Sequence, residues 1–323
     1  MAPRPRVGSR ALRALLAALV VASVAVPLSG AVRPAAVPAP VPAALAPLTS
    51  ATSAVLDARY GAARDGIRAA ERMATGHGDR RRATALRAMA GPGRHFLSFD
   101  GRGGGRTAEV VGDLAHADRI AVLVPGSDTS LDKYGRFRAG AGALQREMGA
   151  RSAVVAWLGY PTPATGSAGS VTTGRADRAA PQLDAFVREL SAAKPGARMA
   201  VLCHSYGSVV CARAASGLRA DALVLYGSPG TGADDVGQLH TRAAVWAGRA
   251  SGDWIADVPH LRLPLLAATV GFGTDPVSKA FGARIFDAGT GGHSDYLKPG
   301  SIPLRNIALI ASGQTPTEER RHA

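Results

Sequence analysis

Cysteine is nearly missing from this sequence: Cys203 and Cys211 are its two copies in 323 residues. No CxxC pair, HExxH helix or cluster of His and Cys goes with them, so the common zinc, iron–sulfur and dithiol redox sites are excluded and no metal or other cofactor is expected. Lysine is scarce too, with four copies among 38 basic residues, and aromatic residues make up only 5% of the chain. Lysine-rich blocks with interleaved aromatics, the surface that grips nucleic acid, are therefore absent, and nucleic acid is not an expected partner. The formal net charge of +14 is dispersed arginine. It reads first as a solvated basic exterior, and an anionic cell-envelope surface is the charged partner it leaves open.

One long uncharged run is present. Arg4, Arg6, Arg10 and Arg13 precede "ALLAALVVASVAVPLSGA", which ends in Ser29-Gly30-Ala31, a small-x-small pattern suited to signal peptidase. The expectation is a signal peptide over residues 1–31 and a secreted mature chain of formal charge +10 beginning at Val32; the alternative is an uncleaved membrane anchor. No Cys follows the run, which excludes a lipoprotein. Residues 32–49 have the Pro/Ala composition of a linker, residues 50–92 show helical periodicity and are expected as a helical adornment, and residues 314–323 form a polar tail.

Between them, residues 93–313 alternate strand-like and helical runs. "HFLSFD" and "TAEVVGDL" flank "GRGGGR", which lacks the Lys-Ser/Thr ending of a phosphate loop and reads as a hairpin tip. "RIAVLVPG", "SAVVAWLGY", "RMAVLCHS", "DALVLYGSPG", "AAVWAGRA" and "ARIFDAG" follow as further strands, several continuously apolar. Helical stretches such as "GRADRAAPQLDAFVRELSAA" lie between them, the alternation that builds a parallel sheet. The expected fold is α/β, a mostly parallel central sheet with an antiparallel hairpin at its start and helices on both faces.

In "RMAVLCHSYGSVVCARAA" a serine stands at the junction of strand and helix, with small residues two positions to either side, Cys203 and Gly207. A nucleophile on such a sharp turn projects its Oγ above the sheet edge, and bulky residues at those positions would prevent strand and helix from approaching. Ser205 is the expected nucleophile. It needs a base and the base needs an orienting acid; His293 lies in a Gly-rich loop beyond the last strand, and Asp253 lies just beyond an earlier one. Asp257 and Asp295 are the weaker acids, one deeper in a loop and one too near His293 in sequence. His77, His95, His116, His240, His260 and His322 do not end the last strand, and His204 is expected to point away from Ser205. The oxyanion hole is expected from the amides of Tyr206 and Ser127, Gly126 allowing close approach. Cys203 and Cys211 are expected as buried free thiols, because a pair would need unusually close backbone approach.

"VLVPGSDT", "AWLGYPTP", "CHSYGS", "YGSPG" and "FGARIFDAGTGGHSDYL" together resemble the α/β-hydrolase superfamily, and within it a group of exported bacterial hydrolase-like proteins catalogued as a domain of unknown function. The resemblance covers about residues 93–312. It implies an α/β-hydrolase fold with Ser205, Asp253 and His293 in the three triad roles, although Cys203 stands where relatives commonly have Gly. The expected activity is cleavage of carboxylic esters, the substrate a small-molecule or lipid-like ester, with residues 161–176 and 256–282 as a substrate-lining cap. A catalytically silent scaffold binding an envelope partner, and an acyltransferase or peptidase using the same triad, are the alternatives.

Overall fold

A computed structural model describes residues 37–316 except 259, 261–262 and 265–268. The expected signal peptide and most of the polar tail lie outside the described residues, as does His322. The described residues form one compact unit.

The strands are β1 (His95–Asp100), β2 (Arg106–Gly112), β3 (Arg119–Val124), β4 (Ser152–Leu158), β5 (Arg198–His204), β6 (Ala222–Tyr226), β7 (Ala244–Gly248), a short pair β8 (Leu263–Pro264) and β9 (Thr269–Val270), and β10 (Arg284–Ile285). The main sheet has eight strands in the order β1-β2-β4-β3-β5-β6-β7-β10. β2 pairs antiparallel with β1 and β4, and every other pairing in this sheet is parallel. The antiparallel start follows from "GRGGGR", whose Gly105 amide donates to the Arg102 carbonyl at 3.0 Å and turns the chain back on itself.

Among the described residues six α-helices surround the sheet: α1 (Ser53–Gly76), α2 (Arg80–Met89), α3 (Tyr134–Met148), α4 (Gly174–Ala193), α5 (Gly207–Ala214) and α6 (Ile302–Ala311). Side chains alternate across a strand, so one strand feeds two cores. Ile120, Val122 and Val124 of β3 join the cluster under α4 and α5, while Ala121 and Leu123 join the one containing residues of α2, α3 and α6. Coverage on both faces explains why β3, β4 and β6 read as unbroken apolar runs. Each wholly buried aliphatic side chain there contributes about 1.5–3 kcal/mol.

The two N-terminal helices are integral to this core rather than an adornment of it. Ile67, Ala70, Ala74, Ala83, Leu86 and Met89 are buried in the same cluster as Phe96 and Phe99 of β1. The Pro/Ala segment also packs in part: Leu48 is buried, and its amide donates to Glu189 Oε1 at 2.6 Å.

Candidate functional site

β5 lies at the centre of the sheet, and the chain reverses sharply where it ends. Ser205 has φ of +52°, in the left-handed region that costs a non-glycine residue about 1–3 kcal/mol, and α5 begins two residues later at Gly207. The turn is tolerated because its neighbours lack side chains. A Cβ on Gly207 would lie 2.7 Å from the Val124 carbonyl oxygen, and one on Gly126 would lie 2.6 Å from Ser205 Cβ. The loop after β3 is thus pressed against the serine.

The expected pair of buried thiols is not what the structure contains. Cys203 and Cys211 form a disulfide across a Cα–Cα distance of 6.4 Å. The reversal at Ser205 folds α5 back along β5, so the close approach required of the backbone is supplied by the turn itself, and Cys211 is only the fifth residue of the helix. The residue standing where a glycine is common is therefore a bridge between strand and helix.

Three side chains expected from separate loops meet over this turn. His293 Nε2 is 2.9 Å from Ser205 Oγ, and His293 Nδ1 is 2.9 and 3.0 Å from the two oxygens of Asp253. Asp253 follows β7 and starts a single 3-10 turn, Trp254–Asp257, its Oδ1 accepting the Ile255 amide at 2.9 Å. Burial alone would raise its pKa, but hydrogen bonds from His293, Tyr296 and Ile255 outweigh it and hold the carboxyl below the usual carboxylate range. An ionised Asp253 accepts from Nδ1–H of His293, which leaves Nε2 with a lone pair facing the hydroxyl of Ser205.

Asp257 and Asp295 are not in this arrangement. Asp257 ends the 3-10 turn and is exposed. Asp295 pairs with Lys298 at 2.8 Å and accepts the Gly292 amide at 3.1 Å, which ties down the loop that carries His293.

Tyr296, for which no role was expected, and His204, expected elsewhere, complete the geometry. The Tyr296 hydroxyl donates to Asp253 Oδ2 at 2.5 Å and accepts the Ala250 amide at 3.1 Å. Burial and then the bond to Asp253 raise its pKa, so it stays protonated as a donor. His204, expected to point away, instead lines the same cavity, its ring 4.7 Å from that of His293 and 5.1 Å from that of Tyr226. Burial and then the proximity of His293 lower its pKa to about 3. Neutral, it donates through Nε2 to the main-chain carbonyl of His293 at 2.8 Å. Adjacent side chains on a strand diverge, but this strand ends at the turn, and the loop bearing His293 comes down over the His204 side. The sequence signal for Tyr296 was its spacing, three residues after His293 in one tight loop.

The other described histidines stand outside this arrangement. His95 stacks on Tyr60 at 4.8 Å, His116 bonds Asp113 at 2.7 Å, and His260 lies 3.6 Å from Asp275, which is paired with Arg249. His77 caps α1, and His240 follows a short 3-10 turn in a left-handed conformation.

The amides of Ser127 and Tyr206 make no hydrogen bond among the described residues, whereas those of Asp128 and Thr129 are engaged by the Pro163 carbonyl at 2.9 Å and Thr162 Oγ1 at 3.1 Å. The loop is held from behind by the Tyr160 hydroxyl, which donates to the Pro125 carbonyl at 2.6 Å. Tyr206 is fixed by its own hydroxyl, a donor to the Thr172 carbonyl at 2.8 Å. Ser127, Ser205, Tyr206 and His293 all line one cavity of about 800 Å³. Thr165, Gly166, Ser170, Val171, Val258, Gly271 and Phe272, from the two segments expected as a cap, line it as well.

Residues 100–263 match a protein family described as alpha/beta hydrolase. The chain belongs to the alpha/beta hydrolase family. It is 32% identical over 254 residues to uncharacterized proteins from two strains of Mycobacterium tuberculosis, a match covering 67% of this chain and 38% of those longer proteins. Among solved structures it is similar to an α/β serine hydrolase without a lid from Xanthomonas campestris, at 18% identity and a TM-score of 0.43, covering 68% of this chain and 94% of that one. It is also similar to a predicted CIB-like hydrolase from Thermoplasma acidophilum, at 16% identity and a TM-score of 0.44, covering 68% and 97%.

Proposed function

We propose that the protein is a serine hydrolase that cleaves carboxylic esters outside the cytoplasm. The observation that carries the reading is the unbroken line of hydrogen bonds from Ser205 Oγ through His293 to Asp253, laid out on the floor of an 800 Å³ cavity. In the reaction, Ser205 Oγ attacks the acyl carbon while His293 Nε2 takes its proton. The developing oxyanion is met by the amides of Tyr206 and Ser127, and such preorganised donors contribute roughly 2.7–4 kcal/mol each to the transition state. The tetrahedral adduct collapses with transfer of the His293 proton to the leaving alcohol oxygen. A water molecule, deprotonated by the same nitrogen, then attacks the acyl-serine, and the acid departs as Ser205 regains its proton. Asp253 holds the imidazole in the required tautomer throughout, and Tyr296 and Ile255 hold Asp253.

Work in an oxidising compartment is supported by the Cys203–Cys211 disulfide and by the N-terminal sequence pattern. A panel of chromogenic esters of graded acyl length, run beside Ser205→Ala, tests the reading. Turnover confined to the native protein supports it; equal rates from both proteins, or none from either across the panel, contradict it.

A further inference from the structure

The cavity over Ser205 is lined by both apolar and cationic side chains. Val171 and Phe272 of the cap, with Ile255 and Val258 of the loop after β7, give it apolar surface. The start of α3 lines the same space with Lys133 and Arg136, beside Phe137. Lys133 is one of only four lysines in the chain.

Neither cation has a side-chain ion pair or hydrogen bond among the described residues, although the charge of Arg136 acts on Asp295 from a distance. Asp132 is gripped by Arg82 through two bonds of 2.5 and 3.0 Å. Asp295 is held by Lys298 at 2.8 Å. Asp128, the acid on the cavity wall, accepts the Thr165 amide at 3.2 Å. The first turn of α3 contains no acidic residue. Cations at that end of a helix oppose its dipole, so helix stability alone does not favour them there. Where a local rule is broken beside a cavity, a ligand is the natural compensation.

We propose, on the basis of the ester-hydrolase reading, that the substrate is an amphiphilic ester whose anionic group, a phosphate or carboxylate, is bound by Lys133 and Arg136 while its apolar chain lies against Val171, Ile255, Val258 and Phe272. A volume of about 800 Å³ exceeds what a short neutral acyl group requires and accommodates both parts. Arginine suits the flat, two-pronged geometry of such an anion and lysine adds a point charge.

The test uses the full chain carrying Ser205→Ala, so that binding is read without turnover. Calorimetry with octyl phosphate, octanol and inorganic phosphate separates the contributions. Octyl phosphate should bind at least about tenfold tighter than either of the others, and added salt should narrow the gap. Adding Lys133→Ala and Arg136→Ala should abolish the preference over octanol, while the charge-keeping pair Lys133→Arg and Arg136→Lys should retain it, with circular dichroism checking the fold of each. Equal affinity for octyl phosphate and octanol, or an unchanged preference in the double alanine variant, overturns the proposal. So does inorganic phosphate binding as tightly as octyl phosphate. Turnover of p-nitrophenyl butyrate by the native protein is the separate readout: activity without phosphate preference removes the anion site and leaves the hydrolase, and preference without activity on any ester does the reverse.

Discussion

The imidazole of His204 donates from Nε2 to the main-chain carbonyl of His293 at 2.8 Å, so the residue before the nucleophile holds the loop that carries its base. The roles of the two ring nitrogens follow from the partner, since a carbonyl can only accept. This makes His204 a positioning residue, one that acts through His293.

Replacing His204 by Phe keeps a flat ring and removes the donor; replacing it by Gln keeps a donor near the same place. We expect kcat for ester cleavage to fall about tenfold in His204→Phe with little change in KM, and to be largely kept in His204→Gln, because a misplaced base affects the chemical step more than ground-state binding. Equal losses in both variants would make the residue a packing element only.

The same histidine gives a pH signature. Its pKa in the folded chain is about 3, against an ordinary value of 6.5, so between these values the unfolded chain binds a proton that the folded chain does not. Its contribution to stability is therefore complete above about pH 6.5 and is lost progressively as pH falls toward 3. Urea midpoints measured from pH 7 to pH 4 should fall more steeply for the native protein than for His204→Gln; parallel curves would contradict the assignment.

Among the three carboxylates near the base, Asp253 alone reaches Nδ1. Asp253→Asn should lower turnover by about 10⁴-fold through the wrong imidazole tautomer. Asp257→Asn and Asp295→Asn should each cost far less. Tyr296→Phe should cost about tenfold, the scale of one lost charge-assisted hydrogen bond. Ester turnover of all four at one pH decides it, and near-normal rates for Asp253→Asn would reassign the acid.

The cysteines should titrate as zero free thiols in denaturant without reductant and as two after reduction. Their disulfide spans a sequence separation of eight, for which chain entropy predicts a stabilisation of about 2.5 kcal/mol. Cys203→Ala with Cys211→Ala should lower the unfolding free energy by about that amount, measured by urea denaturation. Two thiols without reductant would contradict the bridge.

Much of the architecture was legible because each strand of the main sheet has a plain pattern: buried parallel strands such as "RIAVLV" are continuously apolar, and the helix Gly174–Ala193 repeats Leu183, Val187 and Leu190 along one face. The meeting of Ser205, Asp253 and His293 was legible from chain order. What escaped depended on three-dimensional reversal. The Cys203–Cys211 bridge arises from the angle between β5 and α5, and the placement of His204 from where a loop 89 residues away comes to rest. Neither leaves a trace in local pattern. The place of α1 and α2 in the core was hidden similarly: their buried faces mix alanine and even Arg82 with the larger apolar residues, and a weakly apolar helix reads as peripheral until Phe96 and Phe99 are seen against it.

Ser205 is the proposed nucleophile, and active-site labelling tests that role most directly. A fluorophosphonate probe applied to the full chain, followed by peptide mass spectrometry, should place the adduct on Ser205. The Ser205→Ala protein should take up no label while keeping the native circular dichroism spectrum, its ester turnover down by about a million-fold. An adduct on a different residue, or undiminished labelling of the Ser205→Ala protein, would contradict the account.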